Sequence, residues 1–280
     1  MNRLFIEKLI LSFLEEDLGF TGDLSSEPLP ERECRAEVIV KEDCILCGTK
    51  FFEMVFSLLN SKVEVTWKFN DGHRIPAGTV VGFVKGNVKV ILQGERTALN
   101  ILQKLSGIAT NTARFVEVLG NSTVRLLDTR KTTPGWRILE KYATKVGGAL
   151  NHRFGLYDAV MIKDNHIRGF GSVKEAVLKV KDAVPITTKI EVEVENWQQL
   201  KELLDVIDYV DIVMLDNWNL QEVEQAVKLL KTKKPNVKVE LSGGIDIHSL
   251  AKIKYLPVDF VSTSKIITAA KWIDVGMELL

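Results

Sequence analysis

From Val124 to Ser262 the chain repeats one rhythm, a short apolar strand followed by a helical segment, which restricts it to folds built on a parallel sheet. The strands read VRLLD (124–128), AVMIK (159–163), KIEVEV (189–194), VDIVML (210–215), VKVEL (237–241) and VDFVS (258–262). Helix starts lie between them. Thr133-Pro134 offers an N-cap with proline at the first helical position. Ser172 with Glu175, and Asn219 with Glu222, have capping-box spacing. Such units close into a barrel or spread into an open doubly wound sheet. In KIEVEVE, Ile190, Val192 and Val194 face one side and Lys189, Glu191, Glu193 and Glu195 the other. A sheet covered by helices on both faces wants both faces apolar, whereas a charged face suits the polar mouth of a barrel. This favours an incomplete (β/α) barrel, short of the usual length of about 250 residues, with the open sheet as the alternative.

The first third obeys a different pattern. Asn2 to Leu18 carries Leu4, Phe5, Leu9, Ile10, Phe13, Leu14 and Leu18 on a broad helical stripe that stops at Gly19. AEVIVK, VEVTW, VVGFV and VKVIL follow as short β-branched strands, with a helix over 49–59 between them. A long helical run from Gln93 to about Leu119, interrupted near Ser106-Gly107, bridges the two parts. The expected division is a small α+β domain over 1–105 and the barrel over 106–280, with a last helix packing back on the first domain.

Composition excludes several functions. The 37 basic and 37 acidic residues of this 280-residue chain cancel, so no global field steers it toward nucleic acid or anionic lipid. No apolar run approaches the roughly 20 residues of a membrane-spanning helix. The start does not read as a signal peptide, because its apolar stretch is closed by Glu15, Glu16 and Asp17. A cytoplasmic protein is expected. Cys34, Cys44 and Cys47 are an odd number in a long chain, which excludes a disulfide scaffold. Cys44 and Cys47 form a C-x-x-C without a second ligand pair, so they read as buried small hydrophobes rather than a zinc site.

Nearly every strand of the second part ends in a polar cluster: Asp128-Thr129-Arg130-Lys131, then Lys163 to His166, Glu193, Asp216-Asn217, Ser242-Gly243-Gly244 and Ser262 to Lys265. Active sites of parallel α/β folds lie at the carboxyl ends of strands. Arg130, Lys131, Arg153 and Lys163 bring four cations to one rim, which suits a ligand with several carboxylates or phosphates. The Ser242-Gly243-Gly244 turn offers backbone N–H groups to a phosphate. Glu193 and Asp216, on two strand ends, suit a hydrated Mg²⁺ shared with substrate phosphates. Together these predict a magnesium-dependent transfer joining a phosphorylated sugar to an acidic partner. His152 and His166 lie in the same polar segments, in reach of a ligand.

DTRKTTPGWR (128–137), GGALNHRFGLYDAVMIKDNHI (147–167), EVEVEN (191–196), MLDN (214–217) and LSGGI (241–245) resemble the quinolinate phosphoribosyltransferases, the carboxylating nicotinate-nucleotide pyrophosphorylases. EDLGFTGD (16–23) and GERTALNILQKLSGIAT (94–110) extend the resemblance over nearly the whole chain. It implies an α/β fold, with a smaller N-terminal α/β sandwich domain and an incomplete barrel as the C-terminal domain. It also implies a homodimer with composite sites, or a higher oligomer. The implied reaction joins quinolinate to phosphoribosyl pyrophosphate, giving nicotinate mononucleotide, pyrophosphate and CO2 in NAD biosynthesis, with Mg²⁺ and no organic cofactor. By the family pattern Arg130, His152 and Arg153, with Thr129, bind quinolinate, joined by Arg96 of the neighbouring subunit. Lys131 and Lys163 line the pocket. Glu193 and Asp216 serve the ribose and the metal, directly or through water, and Ser242, Gly243 and Gly244 cradle the 5-phosphate.

One stretch departs from the pattern. Ser262-Thr263-Ser264-Lys265 stands where the family has a Gly-Ala turn, so Ser264 and Lys265 are expected to serve the phosphate differently. Two rivals remain: a relative using nicotinate or another acceptor, such as the molybdenum-locus homologue, and a silent homologue that senses phosphoribosyl pyrophosphate. Turnover with each acceptor, and pyrophosphate release, separate them.

Overall fold

In a computed structural model of the chain, the described residues are Asn2–Leu280. The elements begin with α1 (Arg3–Leu18), β1 (Glu33–Val40), β2 (Cys44–Ile45), α2 (Thr49–Leu59), β3 (Glu64–Trp67), β4 (Arg74–Ile75), β5 (Thr79–Asn87) and α3 (Val88–Leu119). There follow β6 (Arg125–Leu127), α4 (Arg137–Val146), β7 (Val160–Ile162), α5 (Asp164–Phe170), α6 (Val173–Ala183), β8 (Ile190–Val194) and α7 (Trp197–Leu204). The last are β9 (Ile212–Asp216), α8 (Leu220–Lys233), β10 (Lys238–Ser242), α9 (Ile247–Ile253), β11 (Phe260–Ser262), α10 (Lys265–Thr268) and β12 (Val275–Leu279). They gather into two compact units. One comprises Met1–Ala113, Thr133–Gly147 and Ala270–Leu280, and the other Arg114–Thr132 and Gly148–Ala269.

The first unit holds an antiparallel sheet in the order β12-β1-β5-β3. Alternate residues of β1, Ala36, Val38 and Val40, are buried, as period-2 patterning requires. Helix α1 starts where the Asn2 side chain accepts the Leu4 N–H and stops at Gly19. It buries Ile6, Ile10 and Leu14, while Leu4 and Phe5 of the expected stripe stay exposed. Helix α2 buries Phe51, Phe52, Val55 and Phe56.

Four expectations change here, each for a tertiary or capping reason. VKVIL is the first part of α3, not a strand: the Asn87 side chain caps the Lys89 N–H at 2.9 Å, and Val88 and Ile91 are buried three apart. Helix α3 also runs unbroken through Ser106-Gly107. Ser106 Oγ accepts the Cys47 N–H at 3.0 Å, and a Cβ at Gly107 would lie 1.9 Å from the Lys271 carbonyl oxygen, so this glycine serves close approach. Pro134 lies in a turn, since Gly135 at φ 82° delays α4 until Arg137. The expected last helix is the strand β12, whose pairing from Ala36↔Leu279 to Val40↔Val275 satisfies the open edge of β1. Burial pushes the Cys44 thiol to about 11 and Cys47 well up, so both pack as neutral apolar groups.

The second unit is a six-stranded parallel sheet in the order β6-β11-β10-β9-β8-β7. All six strands read from the sequence are present. The end strands β6 and β7 do not pair with each other among the described residues, so the barrel is incomplete. Helices return the chain between strands, with Ser172 capping α6 through the Glu175 N–H and Asn219 capping α8.

Candidate active site

Cross-strand register decides which side chains share a face. Met161 lies opposite Glu191, Glu193 opposite Met214, Glu240 opposite Met214 and Phe260, and Ser242 opposite Asp216. Neighbours in register point to one side of a sheet, and residues two apart do so too. Glu191, Glu193, Asp216, Glu240, Ser242 and Ser262 therefore crowd one face. At the carboxyl ends of the strands this face opens into a cavity of about 500 Å³. Its lining adds Asp128, Thr129, Arg130, Lys131, His152, Arg153 and Lys163 to five of those six residues and the two methionines.

Cations hold one wall. Arg153 is 9% exposed, and its side chain donates from Nη1 to the Ala159 carbonyl at 2.8 Å while Nε has no partner. Burial, and then the Arg130 guanidinium, push the Arg153 pKa below its ordinary value, with Glu191 and Asp158 opposing them. Asp128, fully buried, grips the adjoining segment by accepting the His152 N–H at 2.8 Å and the Asn151 amide at 2.7 Å. Lys131 is set by its N–H to Thr129 Oγ1 at 3.0 Å.

Acids line the same cavity. Glu193 is hydrogen-bonded to Lys163 Nζ. Its pKa is raised, first by burial, with Asp216 adding repulsion and Lys163 opposing both. Two carboxylates that repel across a polar cavity are a donor set that fits a hydrated Mg²⁺. Next to them Gly243 has φ 103°, and a Cβ there would lie 2.3 Å from the Asn217 side-chain oxygen, so only glycine leaves this turn intact.

Of the expected site residues, Thr129, Arg130, Lys131, His152, Arg153, Lys163, Glu193, Asp216 and Ser242 line this one cavity. Gly243 and Gly244 form the turn after β10, and Ser264 precedes α10, where Lys265 Nζ lies 3.5 Å from Asp246 Oδ2. Those four do not line it. Arg96 belongs to the other unit, on α3, and lines a separate cavity of about 310 Å³ with Phe13, Trp136 and Trp272. His166 uses its Nδ1 to accept the Lys163 N–H at 3.0 Å. The sequence reading overlooked Glu240. The available signal was the strand VKVELS, in which Glu240 shares its parity with Ser242 on a strand otherwise apolar.

Residues 23–106 match the family description "Quinolinate phosphoribosyl transferase, N-terminal domain", and residues 108–278 match its C-terminal counterpart. The chain belongs to the quinolinate phosphoribosyl transferase family. Within that family a Bacillus subtilis protein named probable nicotinate-nucleotide pyrophosphorylase (carboxylating) is 41% identical, covering 100% of this chain and 95% of that one. The Rattus norvegicus nicotinate-nucleotide pyrophosphorylase (carboxylating) is 38% identical over 96% of this chain and 89% of its own. The crystal structure of NadC from Streptococcus pyogenes superposes with a TM-score of 0.92 at 38% identity, covering 100% of this chain and 99% of that one. The two-unit architecture is thus the family's fold.

Proposed function

We propose that this chain transfers the phosphoribosyl group of phosphoribosyl pyrophosphate to the ring nitrogen of quinolinate and releases CO2, giving nicotinate mononucleotide and pyrophosphate. The observation that carries this reading is that Arg130 and the buried Arg153 share one cavity at the strand ends with Glu193 and Asp216. A planar dicarboxylate matches the planar forks of two guanidiniums bidentately. Thr129 and Lys131 complete that wall. As pyrophosphate departs, positive charge grows on the ribose ring, and the fixed carboxylates of Glu193 and Asp216 stabilise it. Lys163 restrains Glu193 on the same side.

Bond formation at the ring nitrogen gives the pyridine a positive charge. The electron pair left by the departing carboxyl group is then stabilised, and a proton replaces CO2 on the ring. Glu193 and Asp216 would hold Mg²⁺, which when bound supplies charge neutralisation to the pyrophosphate leaving group. Ser242, Gly243 and Gly244 present the turn after β10 to the 5-phosphate, with Ser264 and Lys265 beside it.

The active assembly in this reading is a homodimer in which Arg96 of a second copy completes the dicarboxylate site. The exposed Leu4, Phe5 and Phe20 of the first unit support a partner surface. No helix among the described residues is long and apolar enough to cross a membrane, and a cytoplasmic setting suits the reaction. The test is CO2 release from carboxyl-labelled quinolinate with phosphoribosyl pyrophosphate and Mg²⁺. Wild type releases label, and Arg130→Ala lowers kcat/KM for quinolinate by about tenfold or more, as expected for a lost charge-assisted hydrogen bond. Release that does not depend on phosphoribosyl pyrophosphate, or turnover of nicotinate instead, refutes the reading.

A further inference from the structure

The strand end that carries Asp216 makes a turn whose first residue the proposed reaction leaves without a role. Asn217 has φ 58° and is the one non-glycine residue at positive φ among the described residues. Left-handed backbone suits glycine, and of the other residues asparagine and aspartate take it most readily. Such a conformation persists where the surroundings fix it from several directions, and three contacts do so here. The Asn217 N–H donates to the Ser242 carbonyl at 3.1 Å, from the end of β9 to the end of β10. Trp218, the next residue, is buried, and its indole N–H donates to the Val194 carbonyl at 2.8 Å, tying the turn to the end of β8. Asn217 Oδ1 and its backbone nitrogen lie 2.3 and 2.6 Å from where a Cβ on Gly243 would come, so the two turns interlock.

The side chain adds a fourth contact, and that one reaches the site. Asn217 Nδ2 donates to Asp216 Oδ2 at 2.7 Å. Successive side chains of a strand point to opposite faces, so the left-handed turn is what brings this amide back to its neighbour. We propose that Asn217 is a positioning residue for the phosphoribosyl donor, whose left-handed backbone and amide together hold Asp216 and the Ser242-Gly243-Gly244 turn at one fixed spacing. This rests on the phosphoribosyl-transfer reading above and deepens it. In that reading Asp216 serves the ribose and Mg²⁺ while the turn receives the 5-phosphate, two groups of a single molecule. A donor that engages both gains full affinity only where they already stand at the right separation, since otherwise binding has to order them. Ser242 and Asp216 are in register on adjacent strands, and Asn217 carries that coupling past the end of the sheet. It is not among the residues that line the cavity, so it acts through the groups it holds.

Two substitutions separate the amide from the backbone. Asn217→Gly keeps the left-handed turn and removes the amide. Asn217→Asp keeps the side-chain shape, at a φ that aspartate tolerates, but puts an acceptor beside Asp216 in place of the donor. Calorimetric titration with phosphoribosyl pyrophosphate in Mg²⁺, without quinolinate, reads the Kd of the donor molecule directly. Both variants are expected to bind it about tenfold more weakly, the loss that goes with one hydrogen bond to a charged group. The melting temperature of Asn217→Gly should stay within about 3 °C of wild type, because glycine is at ease at this φ. In steady state the phosphoribosyl pyrophosphate KM should rise about tenfold while the quinolinate KM stays within about twofold. A Kd within about threefold of wild type in either variant overturns the proposal. Equal loss in both KM values together with a lowered melting temperature assigns the turn to folding alone and also overturns it. A wild type that binds phosphoribosyl pyrophosphate but leaves quinolinate unconsumed ends the acceptor reading, while the titrations still decide Asn217. A wild type that binds no phosphoribosyl pyrophosphate ends the transfer reading, and the proposal with it.

Discussion

Replacing Glu240 by glutamine should change the pH dependence of stability in a direction set by its burial. The carboxyl is 0% exposed and lies against Glu191 and Ser262. Burial first, and Glu191 second, raise its pKa well above the ordinary value. The unfolded chain releases the same proton near about pH 4.3. Between that pH and the raised native value the folded protein holds one proton more than the unfolded one. Its unfolding free energy therefore falls as pH rises, by about 1.4 kcal/mol per pH unit. Below about pH 4 both states are protonated and this contribution vanishes. Glutamine cannot ionise, and its amide donates toward Glu191 as the neutral acid would. The stability of Glu240→Gln minus wild type should thus be flat at acid pH and then climb by about 1.4 kcal/mol per unit. It levels off once the native carboxyl ionises. Urea unfolding at half-unit pH steps, followed by tryptophan fluorescence and circular dichroism, measures the difference. Parallel pH curves for the two proteins would mean that Glu240 is ionised in the native state, and the reasoning would fail.

Other substitutions probe the turns and the metal. Gly243→Ala forces a side chain into φ 103° against Asn217, and is expected to cost about 1–3 kcal/mol in thermal or urea unfolding. The same variant should raise the KM for phosphoribosyl pyrophosphate, and wild-type behaviour would remove the turn from the phosphate site. Lys265→Ala should raise the donor KM about tenfold if the turn after β11 contacts the 5-phosphate. An unchanged donor KM leaves only the Ser-Gly-Gly turn in that role. Chelation of divalent cations should abolish pyrophosphate release and added Mg²⁺ restore it, whereas full turnover in chelator would exclude the proposed use of Glu193 and Asp216.

Local chemistry made much of the fold readable. Helix α1 declares itself through its period, its Asn2 cap and its Gly19 stop, and α2 occupies the expected 49–59. The six parallel strands are β-branched runs bounded by polar turns, and such runs need no tertiary information to be seen. What escaped was decided at a distance. Val88 to Leu92 has strand-like composition but takes the helical state that Asn87 caps and the core rewards. Gly107 reads as a break, yet it answers to Lys271, far along the chain. Asp71 caps α2 by accepting the Gly48 and Thr49 N–H groups and also takes the Tyr142 hydroxyl, a set of contacts no local pattern announces. In the cavity, the strand-end residues were legible because position alone selects them. Glu240 was not, because it lies inside its strand rather than at the end.

That interior placement sets stability against binding. Two acids buried side by side, one of them forced to stay neutral, stabilise a sheet less than two leucines would, since an isosteric apolar pair has no desolvation penalty to offset. The face of β8 and β10 that carries them therefore has its composition for a reason other than the core. Glu191 bonds to the His152 ring at 2.7 Å and also acts on the Arg153 guanidinium, tying the buried acids to the loop that lines the cavity. Glu191→Leu combined with Glu240→Leu should accordingly raise the urea midpoint. A lowered midpoint would show the acids to be part of the core after all.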